Sequence, residues 1–371
     1  MIRINFYKIL FLVCYWVFAV VFYIFFESTM IDYYSLSISD IGLPYDLVRS
    51  ITVSVTVTIL CGAALAAFEV LYFNKLLRKQ PFGKTLIIKT TFYLLNIFIF
   101  TSIAIIIIAS IGYGTPLFHN VALVAYIKYL TGRSFILIMI YWSFAVMSGL
   151  FILQINDKLG QGVLINFLLG KYHYPKEEIR IFMFLDLKSS TSYAEEHGHL
   201  KYSRLIQDCF YDLTDVVIKR DASIYQYVGD EVVLTWDLKK GIKDNNCLNT
   251  FFDFENVIKD KSDYYKKNYG TTPEFKAGLH YGEAIITELG GAKKEIAYHG
   301  DTVNTTSRIQ ATCNELKKSL LISAELLSIL DDKELDEKYI IESTGIAHLK
   351  GKKHVVGLFS VEKNKAAMAN T

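Results

Sequence analysis

Four long apolar segments lie in the first half of the chain, and the second half has none of comparable length. Each is long enough to cross a bilayer as a helix, which takes about 20 predominantly apolar residues. No small-residue cleavage site follows the first segment, so the pattern favours an anchor over a signal peptide. We therefore predict an α-helical membrane domain over residues 1–156 with four spans, at 9–26, 50–73, 90–112 and 134–156.

The stretch from 90 to 127 leaves the number of spans open. It contains no Asp, Glu, Lys or Arg, and the sequence GYGTP interrupts it at 112–116. A re-entrant or fifth segment at 117–130 is an alternative to four spans. His119 and Lys128 disfavour its full insertion, because ionisable groups are costly inside a membrane.

Basic residues near the ends of the spans predict the orientation. Arg3 and Lys8 precede the first span, and the segment from Glu27 to Asp46 carries acids and no base, as an external loop does. Lys128 and Arg133 mildly oppose this assignment, because it places these two basic residues in the other external loop. An even number of spans places the N-terminus and the second half of the chain in the cytoplasm, in an integral protein of a bacterial inner or cell membrane. The basic residues between the second and third spans agree with it: Lys75, Arg78, Lys79, Lys84 and Lys89.

The second half of the chain carries most of the charge and alternates short strands with helices. This alternation predicts an α/β sandwich over residues 179–361, in which a mixed sheet has helices on one face, followed by a tail at 362–371. The predicted strands are 179–187, 223–236 as a hairpin, 275–281, 284–288, 296–298, 340–349 and 354–361, and the predicted helices are 190–219, 248–268 and 302–317. Residues 157–178 form either a coupling helix or a passive linker on the membrane surface.

Composition narrows the function classes. A chain of 371 residues allows two or three domains, and its formal net charge of +2 gives no reason to expect nucleic acid as a partner. Its five cysteines lack CxxC spacing, so they indicate neither a zinc site nor a disulfide framework. They fit a reducing compartment.

Two carboxylates follow strand ends in the second half. Asp186 closes the apolar strand 181–187, and Asp230 lies at the Gly229-Asp230 tip of the hairpin 224–236. Taken alone, a Gly-Asp tip indicates only a turn. Carboxylates on neighbouring strand ends, however, are hard oxygen ligands suited to Mg²⁺ or Mn²⁺, which leave positions open for phosphates. The hydroxyl residues that follow can cap a helix and leave free amides facing an anion: Ser189, Ser190 and Thr191.

Five motifs resemble those of class III nucleotide cyclases, in the order in which that family has them. They are FLDLKSST (184–191), YVGDEVVLTW (227–236), GLHYGEAI (278–285), HGDTVNTTSRIQ (299–310) and HLKGKK (348–353). The resemblance covers residues 179–361, about half of the chain. It implies an α+β sandwich of the ferredoxin-like palm type.

The resemblance also implies roles for individual residues. Asp186 and Asp230 would hold two metal ions, Mg²⁺ or Mn²⁺, with help from the Leu187 carbonyl. Asn304 would orient the ribose, and Arg308 would stabilise the pentavalent phosphorus, for which a guanidinium is suited. Lys350 would hold the β- and γ-phosphates. The family's head-to-tail homodimer implies that the two aspartates come from one chain and Asn304 and Arg308 from the other, so that a monomer is inactive.

The purine is left open by two departures from the family pattern. Cyclases that use ATP usually have Lys four residues before the second metal aspartate and Asp or Thr three residues before the glycine of the GDTVN motif. Guanylate cyclases favour Glu and Cys at these positions, and this chain has Gln226 and Ala297. A glutamine amide can serve adenine or guanine, depending on its orientation.

The leading hypothesis is a membrane-anchored adenylate cyclase, a phosphorus–oxygen lyase of signal transduction that makes 3′,5′-cyclic AMP and pyrophosphate from ATP. A guanylate cyclase that uses GTP is the runner-up. YVGDEVVL also resembles the metal hairpin of diguanylate cyclases, but NTTSR and LKGKK have no place there. A non-catalytic nucleotide-sensing receptor is disfavoured because Asp186, Asp230 and Arg308 are all present. A transporter is disfavoured because acids inside the spans are few and Glu69 lies at a cytoplasmic end.

Overall fold

The computed structural model describes residues 2–33, 47–77, 80–160, 163–330, 335, 337–347 and 355–364. The chain divides into two compact units, Ile2–Leu159 and Gly160–Thr371. The motif HLKGKK, and Lys350 with it, lies outside the described residues, as does most of the predicted tail.

The N-terminal unit is entirely helical where it is described. Its helices are α1 (Ile2–Tyr33), α2 (Leu47–Phe68), α3 (Asn74–Leu77), α4 (Phe82–Gly112), α5 (Asn120–Thr131) and α6 (Arg133–Leu159). Four segments are long and apolar enough to cross a membrane, as predicted: Phe6–Tyr33, Ser50–Phe73, Phe82–Gly112 and Phe135–Leu159. The stretch 117–130 forms mainly α5, whose 12 residues are too few to span a bilayer.

Close helix packing holds this unit together. A Cβ atom at Gly149 of α6 would lie 2.7 Å from the Tyr15 ring of α1, so the glycine allows the ring to lie against the helix. The Tyr15 hydroxyl donates to the Ala145 carbonyl at 3.0 Å. Small residues at helix contacts and hydroxyls bonded across them are the usual means of helix association in membranes. The buried apolar residues of this contact region are Leu12, Trp16, Ala66, Val70, Tyr93, Val146, Leu150 and Leu153.

Two charged side chains lie inside the unit, and one of them, Lys89, corrects the sequence prediction. Glu69 lies near the end of the apolar segment Ser50–Phe73, as expected, whereas Lys89 was expected in a loop and lies in α4. Their side chains are 0% and 1% exposed, with Lys89 Nζ 2.5 Å from Glu69 Oε1. Lys89 also donates to Asn74. Glu69–Phe73 forms a π-helical turn between α2 and α3. Because the opposite charges compensate each other, α4 includes Lys89 and begins at Phe82.

The second unit contains one sheet and its helices. Its strands are β1 (Lys176–Leu187), β2 (Ser223–Val228), β3 (Glu231–Asp237), β4 (Phe275–Leu289), β5 (Glu295–His299), β6 (Leu320–Ser323), β7 (Tyr339–Ala347) and β8 (Val356–Lys363). Its helices are α7 (Val163–Leu168), α8 (Ser190–His197), α9 (His199–Lys219), α10 (Leu238–Ile242), α11 (Asn246–Asp260), α12 (Ser262–Tyr269), α13 (Asp301–Leu316) and α14 (Ala324–Leu327).

The sheet is mixed, as predicted, with the strand order β2-β3-β1-β4-β6-β8-β7 and with β5 paired to β4. β4 and β6 run parallel, and the other neighbouring strands run antiparallel. β1 lies in the middle and is buried on both faces. Ile181, Met183 and Leu185 face the main core, whereas Phe182 and Phe184 face the opposite side together with Val233 and Ala284.

Helices cover both faces of the sheet, so the prediction of helices on one face is wrong. α9 and α11 pack on the main core, and α13 packs on the opposite face against β4. Gly278 on β4 permits this, because a Cβ atom there would lie 2.3 Å from the backbone nitrogen of Gln310 on α13. A glycine is the only residue that leaves room for a backbone at that distance.

Three predicted helices are shorter or broken. The segment 190–219 divides at Gly198, whose φ of +82° lies outside the helical region. The segment 248–268 divides at Lys261 between α11 and α12. The proposed linker helix at 157–178 reduces to the six residues of α7, because Gly160 and Gly170 adopt φ of +97° and +61° on either side of it.

Candidate active site

The two predicted metal ligands lie at the same edge of the sheet. Asp186 is next to last in β1 and pairs with Glu231 of β3. Asp230 directly precedes Glu231 and forms the hairpin turn with Gly229, whose φ of +64° glycine adopts without strain. The register therefore brings the two carboxylates together, although they lie far apart in the sequence.

Two buried side chains hold the Asp186 carboxylate in place. Lys276 of β4 places Nζ 3.1 Å from Asp186 Oδ2, and Gln310 of α13 donates to the same oxygen at 2.9 Å. Lys276 also donates to Asn314 at 2.9 Å. Both contacts to Asp186 use Oδ2, so Oδ1 has no protein donor among the described residues and can accept a ligand.

Negative charge accumulates around this carboxylate. Burial raises the pKa of Asp186 above its ordinary value, and Asp230 raises it further, while Lys276 opposes the increase. Burial, followed by the charges of Asp186 and Asp230, raises the pKa of Glu231 to about 7. A cation that binds between the two aspartates would relieve this repulsion.

The donor set fits Mg²⁺ or Mn²⁺. In the part of the chain that the structure describes, no three His, Cys, Asp or Glu side chains form a metal cluster. Asp186 and Asp230 therefore offer two carboxylates and no closed cage. A hard cation that keeps water and accepts substrate oxygens requires this kind of partial protein shell.

The loop after Asp186 is strained and carries the predicted anion-facing residues. Leu187 is buried, and Ser189 has a left-handed φ of 56° directly before α8 begins at Ser190. The expected cap is missing because the Ser189 side chain makes no capping hydrogen bond. Thr191 is exposed in the first turn. Burial raises the pKa of the nearby Tyr202 hydroxyl, and Asp230 adds to the increase.

Asn304 and Arg308 lie one turn apart on α13, as predicted, and are exposed and half-buried, respectively. Because each residue of an α-helix turns by about 100°, Asn304 lies roughly 120° and Arg308 roughly 160° around the helix axis from Gln310. Gln310 contacts Asp186 of the same chain. The structure therefore does not bring Asn304 and Arg308 to the two aspartates of their own chain.

Gln226 and Ala297 lie beside two tyrosines that contact each other. Gln226 pairs with Val233, so it shares the face of Phe182 and Phe184. A bulge between Ile224 and Gln226 puts Tyr225 against the same cluster. Tyr298, which follows the buried Ala297, packs its ring 4.7 Å from that of Tyr225. Gln226 and Ala297 thus each neighbour one of the two paired tyrosines in the sequence, and we call Tyr225, Gln226, Ala297 and Tyr298 the purine region. Because Ala297 pairs with Thr287 and Tyr298 with Ile286, the Ala297 side chain faces the opposite side of the sheet from Tyr298.

A sequence model described as the Adenylate and Guanylate cyclase catalytic domain matches residues 171–362. The chain belongs to this family. The match confirms the resemblance that the five motifs indicated, and it removes the diguanylate cyclase alternative. The matched region begins at residue 171, shortly after α7 ends at Leu168.

Adenylate cyclase 2 of Rhizobium meliloti (strain 1021) is 38% identical over 178 residues, which are 48% of this chain and 49% of that protein. Photoactivated adenylate cyclase subunit beta of Euglena gracilis is 39% identical over 77 residues, 21% of this chain and 9% of that protein. The chain thus spans half or less of the length of these curated relatives.

Among solved structures, a bacterial light-regulated adenylyl cyclase has a TM-score of 0.53 to this chain. The sequences are 16% identical, and the match covers 63% of this chain and 67% of that one. At this identity the likeness concerns the fold, and it confirms the predicted cyclase fold.

Sequence reasoning missed two residues of the cyclase domain that touch Asp186. Lys276 is a single lysine in the apolar strand FKAGL, and that isolation was the one available signal. Gln310 lies two residues after Arg308, but nothing in the local pattern indicates that it points to β1. Both become recognisable only when β4 and α13 are placed next to β1.

Proposed function

We propose that the protein is a membrane-anchored nucleotide cyclase that converts ATP to 3′,5′-cyclic AMP and pyrophosphate. The observation that carries this proposal is the pair of carboxylates, Asp186 and Asp230, which the β1–β3 register presents at one edge of the sheet. The names of the relatives, which are adenylate cyclases, support ATP as the substrate. The four long apolar helices support the anchor.

Different residues of this chain have different roles in the proposed reaction. Asp186 and Asp230 hold Mg²⁺ or Mn²⁺, two ions per site, with the Leu187 carbonyl assisting. A metal ion held by these residues would supply Lewis acidity, which favours loss of the proton from the ribose 3′-hydroxyl and offsets negative charge on the phosphates. Lys276 and Gln310 orient Asp186 so that Oδ1 faces the ligand.

Asn304 and Arg308 act on the substrate from α13. Asn304 orients the ribose. The Arg308 guanidinium places its donors on the phosphoryl oxygens as charge develops there in the transition state. Ser189, Ser190 and Thr191 lie at the start of α8, where backbone amides favour phosphate. Lys350 completes the contact with the β- and γ-phosphates.

A second copy of the chain completes each site. Gln310 is turned toward Asp186 of its own chain, and Asn304 and Arg308 lie on other sides of the same helix. A site that uses both the aspartates and Arg308 therefore takes them from different chains. A two-fold homodimer contains two such sites.

GTP is the second candidate substrate, and Gln226 is the observation that favours it. Its amide can donate to adenine N1 and accept from N6, or, when flipped, serve guanine N1 and O6. Ala297 contributes no polar group to decide between the two purines.

The deciding experiment uses the full chain, purified in detergent or lipid nanodiscs. It is incubated with ATP or GTP and with Mg²⁺ or Mn²⁺, and the products are separated and identified by mass spectrometry. We expect cyclic AMP from ATP, no product from Asp186→Asn, and normal product from Asp263→Asn, an exposed aspartate on α12. The absence of any 3′,5′-cyclic mononucleotide from either substrate would overturn the proposal.

A further inference from the structure

The segment 171–178, which follows α7, is hydrogen-bonded to the sheet of the cyclase domain. Tyr172 is 4% exposed, and its hydroxyl donates to Glu178 at 3.0 Å while it accepts from Lys171 at 2.7 Å. Lys171 Nζ also lies 3.1 Å from Glu178. The Tyr172 carbonyl accepts from the Glu288 amide of β4 at 2.8 Å. The segment thus contacts two strands at once.

Glu178 continues this contact to Arg180, two residues further along β1. Arg180 Nε lies 3.7 Å from the second oxygen of Glu178, close enough for attraction between the charges but without a hydrogen bond. Arg180 is 7% exposed and donates to Asp237 at the end of β3 and, at 2.8 Å, to the Tyr298 hydroxyl of β5. Burial alone would lower the pKa of Arg180, but Tyr298, Asp237 and Glu178 raise it above its ordinary value.

Tyr298 extends the connection to the purine region. Its backbone amide donates to the Tyr225 hydroxyl at 3.3 Å, and its ring packs edge-on against Phe182 at 5.6 Å. Tyr298 follows Ala297 directly, and Tyr225 directly precedes Gln226. A displacement of the Tyr298 ring would therefore move both strands that carry the predicted purine contacts.

We propose that Arg180 is a positioning residue that sets the geometry of the purine region and couples it to the segment 171–178. The proposal rests on the proposed function, since it concerns the substrate side of the same site. A buried guanidinium that is hydrogen-bonded to Asp237 and Tyr298 has few alternative arrangements. A displacement of the Glu178 charge beside it should therefore shift the guanidinium together with Tyr298. The segment follows α7 directly in the chain and precedes the first strand of the sheet.

Steady-state kinetics with ATP and GTP separates positioning from a merely structural role. The variants are Arg180→Gln, Tyr298→Phe and Tyr172→Phe in the full chain. The matched control is Arg220→Gln. Arg220 is half-buried and, like Arg180, is bonded to an aspartate, in this case Asp253 at 2.8 Å.

We expect Arg180→Gln and Tyr298→Phe to raise KM for ATP by about fivefold to tenfold, with a smaller change in kcat, because each removes a charge-assisted hydrogen bond. The ratio of kcat/KM for ATP and GTP should change by a similar factor. The double variant Arg180→Gln/Tyr298→Phe should have the same KM for ATP as the more affected single variant, because both substitutions remove the same interaction. Arg220→Gln should keep KM and the ratio within twofold. Equal effects of Arg180→Gln and Arg220→Gln on KM and on the ratio would overturn the proposal.

Hydrogen exchange gives a readout that does not require activity. In Tyr172→Phe and Arg180→Gln, amides in 295–299 should exchange severalfold faster, while those in 232–236 remain as in the wild type. Faster exchange in both segments, or in neither, would contradict a specific connection. If the wild type makes no cyclic nucleotide but the exchange pattern holds, the proposed function fails and the connection stands. If the wild type is active and neither selectivity nor exchange responds, the connection fails alone.

Discussion

Replacement of Gln310 by Met tests how the Asp186 carboxylate is oriented. The change keeps the length of the side chain and removes the amide that donates to Asp186 Oδ2 at 2.9 Å. Gln310 is buried, and a hydrogen bond to a charged group is worth about 1.5–3 kcal/mol. Lys276 still holds the same oxygen at 3.1 Å, so we take the lower value. A loss of about 1.5 kcal/mol corresponds to a roughly tenfold weaker metal interaction.

The measurement is cyclic nucleotide formation as a function of Mg²⁺ or Mn²⁺ at a fixed, saturating nucleotide concentration. Gln310→Met should raise the metal concentration for half-maximal activity about tenfold and leave the plateau within threefold, because both aspartates remain. Electron paramagnetic resonance of free Mn²⁺ should report the same change in binding. The control is Gln207→Met, an exposed glutamine on α9. A half-maximal concentration within twofold of the wild type, or a plateau that excess metal does not restore, would refute the orienting role.

Substitutions at four positions further test the proposed site. Asp186→Ala or Asp230→Ala should abolish turnover, and activity within a few fold of the wild type at saturating metal would exclude the assignment. Asp230→Ala should leave thermal unfolding nearly unchanged, whereas Asp186→Ala should lower the unfolding temperature because it leaves the buried Lys276 without its carboxylate partner. Arg308→Ala should lower kcat by about 10² or more with a smaller effect on KM. When it is mixed with Asp186→Ala, activity should return through one intact site, and no recovery in a demonstrated heterodimer would count against a shared site. Gln226→Lys should favour ATP and Gln226→Glu should favour GTP, by roughly tenfold to a hundredfold in the kcat/KM ratio. The same ratio in all three proteins would mean that the purine is selected elsewhere.

Local patterns were sufficient to predict the core of the cyclase domain. The strand that ends at Asp186 is apolar at every position from 181 to 185, as a strand buried on both faces must be. Gly229-Asp230 between two β-rich runs predicted the hairpin, and the register then followed. The spacing of Asn304 and Arg308 placed them correctly on one helix.

Contacts between distant segments could not be predicted in this way. Gln310 reaches Asp186 across 124 residues of sequence, and α13 approaches the sheet only because Gly278 leaves room for its backbone. Lys89 was assigned to a loop because its charge was judged alone, without Glu69, the partner that makes its burial tolerable. In all three cases the missing information was which element lies beside which.

The ion pair between Glu69 and Lys89 constrains how the chain is assembled in a bilayer. Glu69 lies near the end of its apolar segment and Lys89 near the start of its own. An unpaired charge in an inserting helix is costly even there, and a neutral pair avoids much of that cost. The two residues lie on consecutive apolar segments, Ser50–Phe73 and Phe82–Gly112, with few residues between them. These segments are therefore expected to leave the translocon together as a helical hairpin, with Glu69 kept from the lipid until Lys89 has been synthesised.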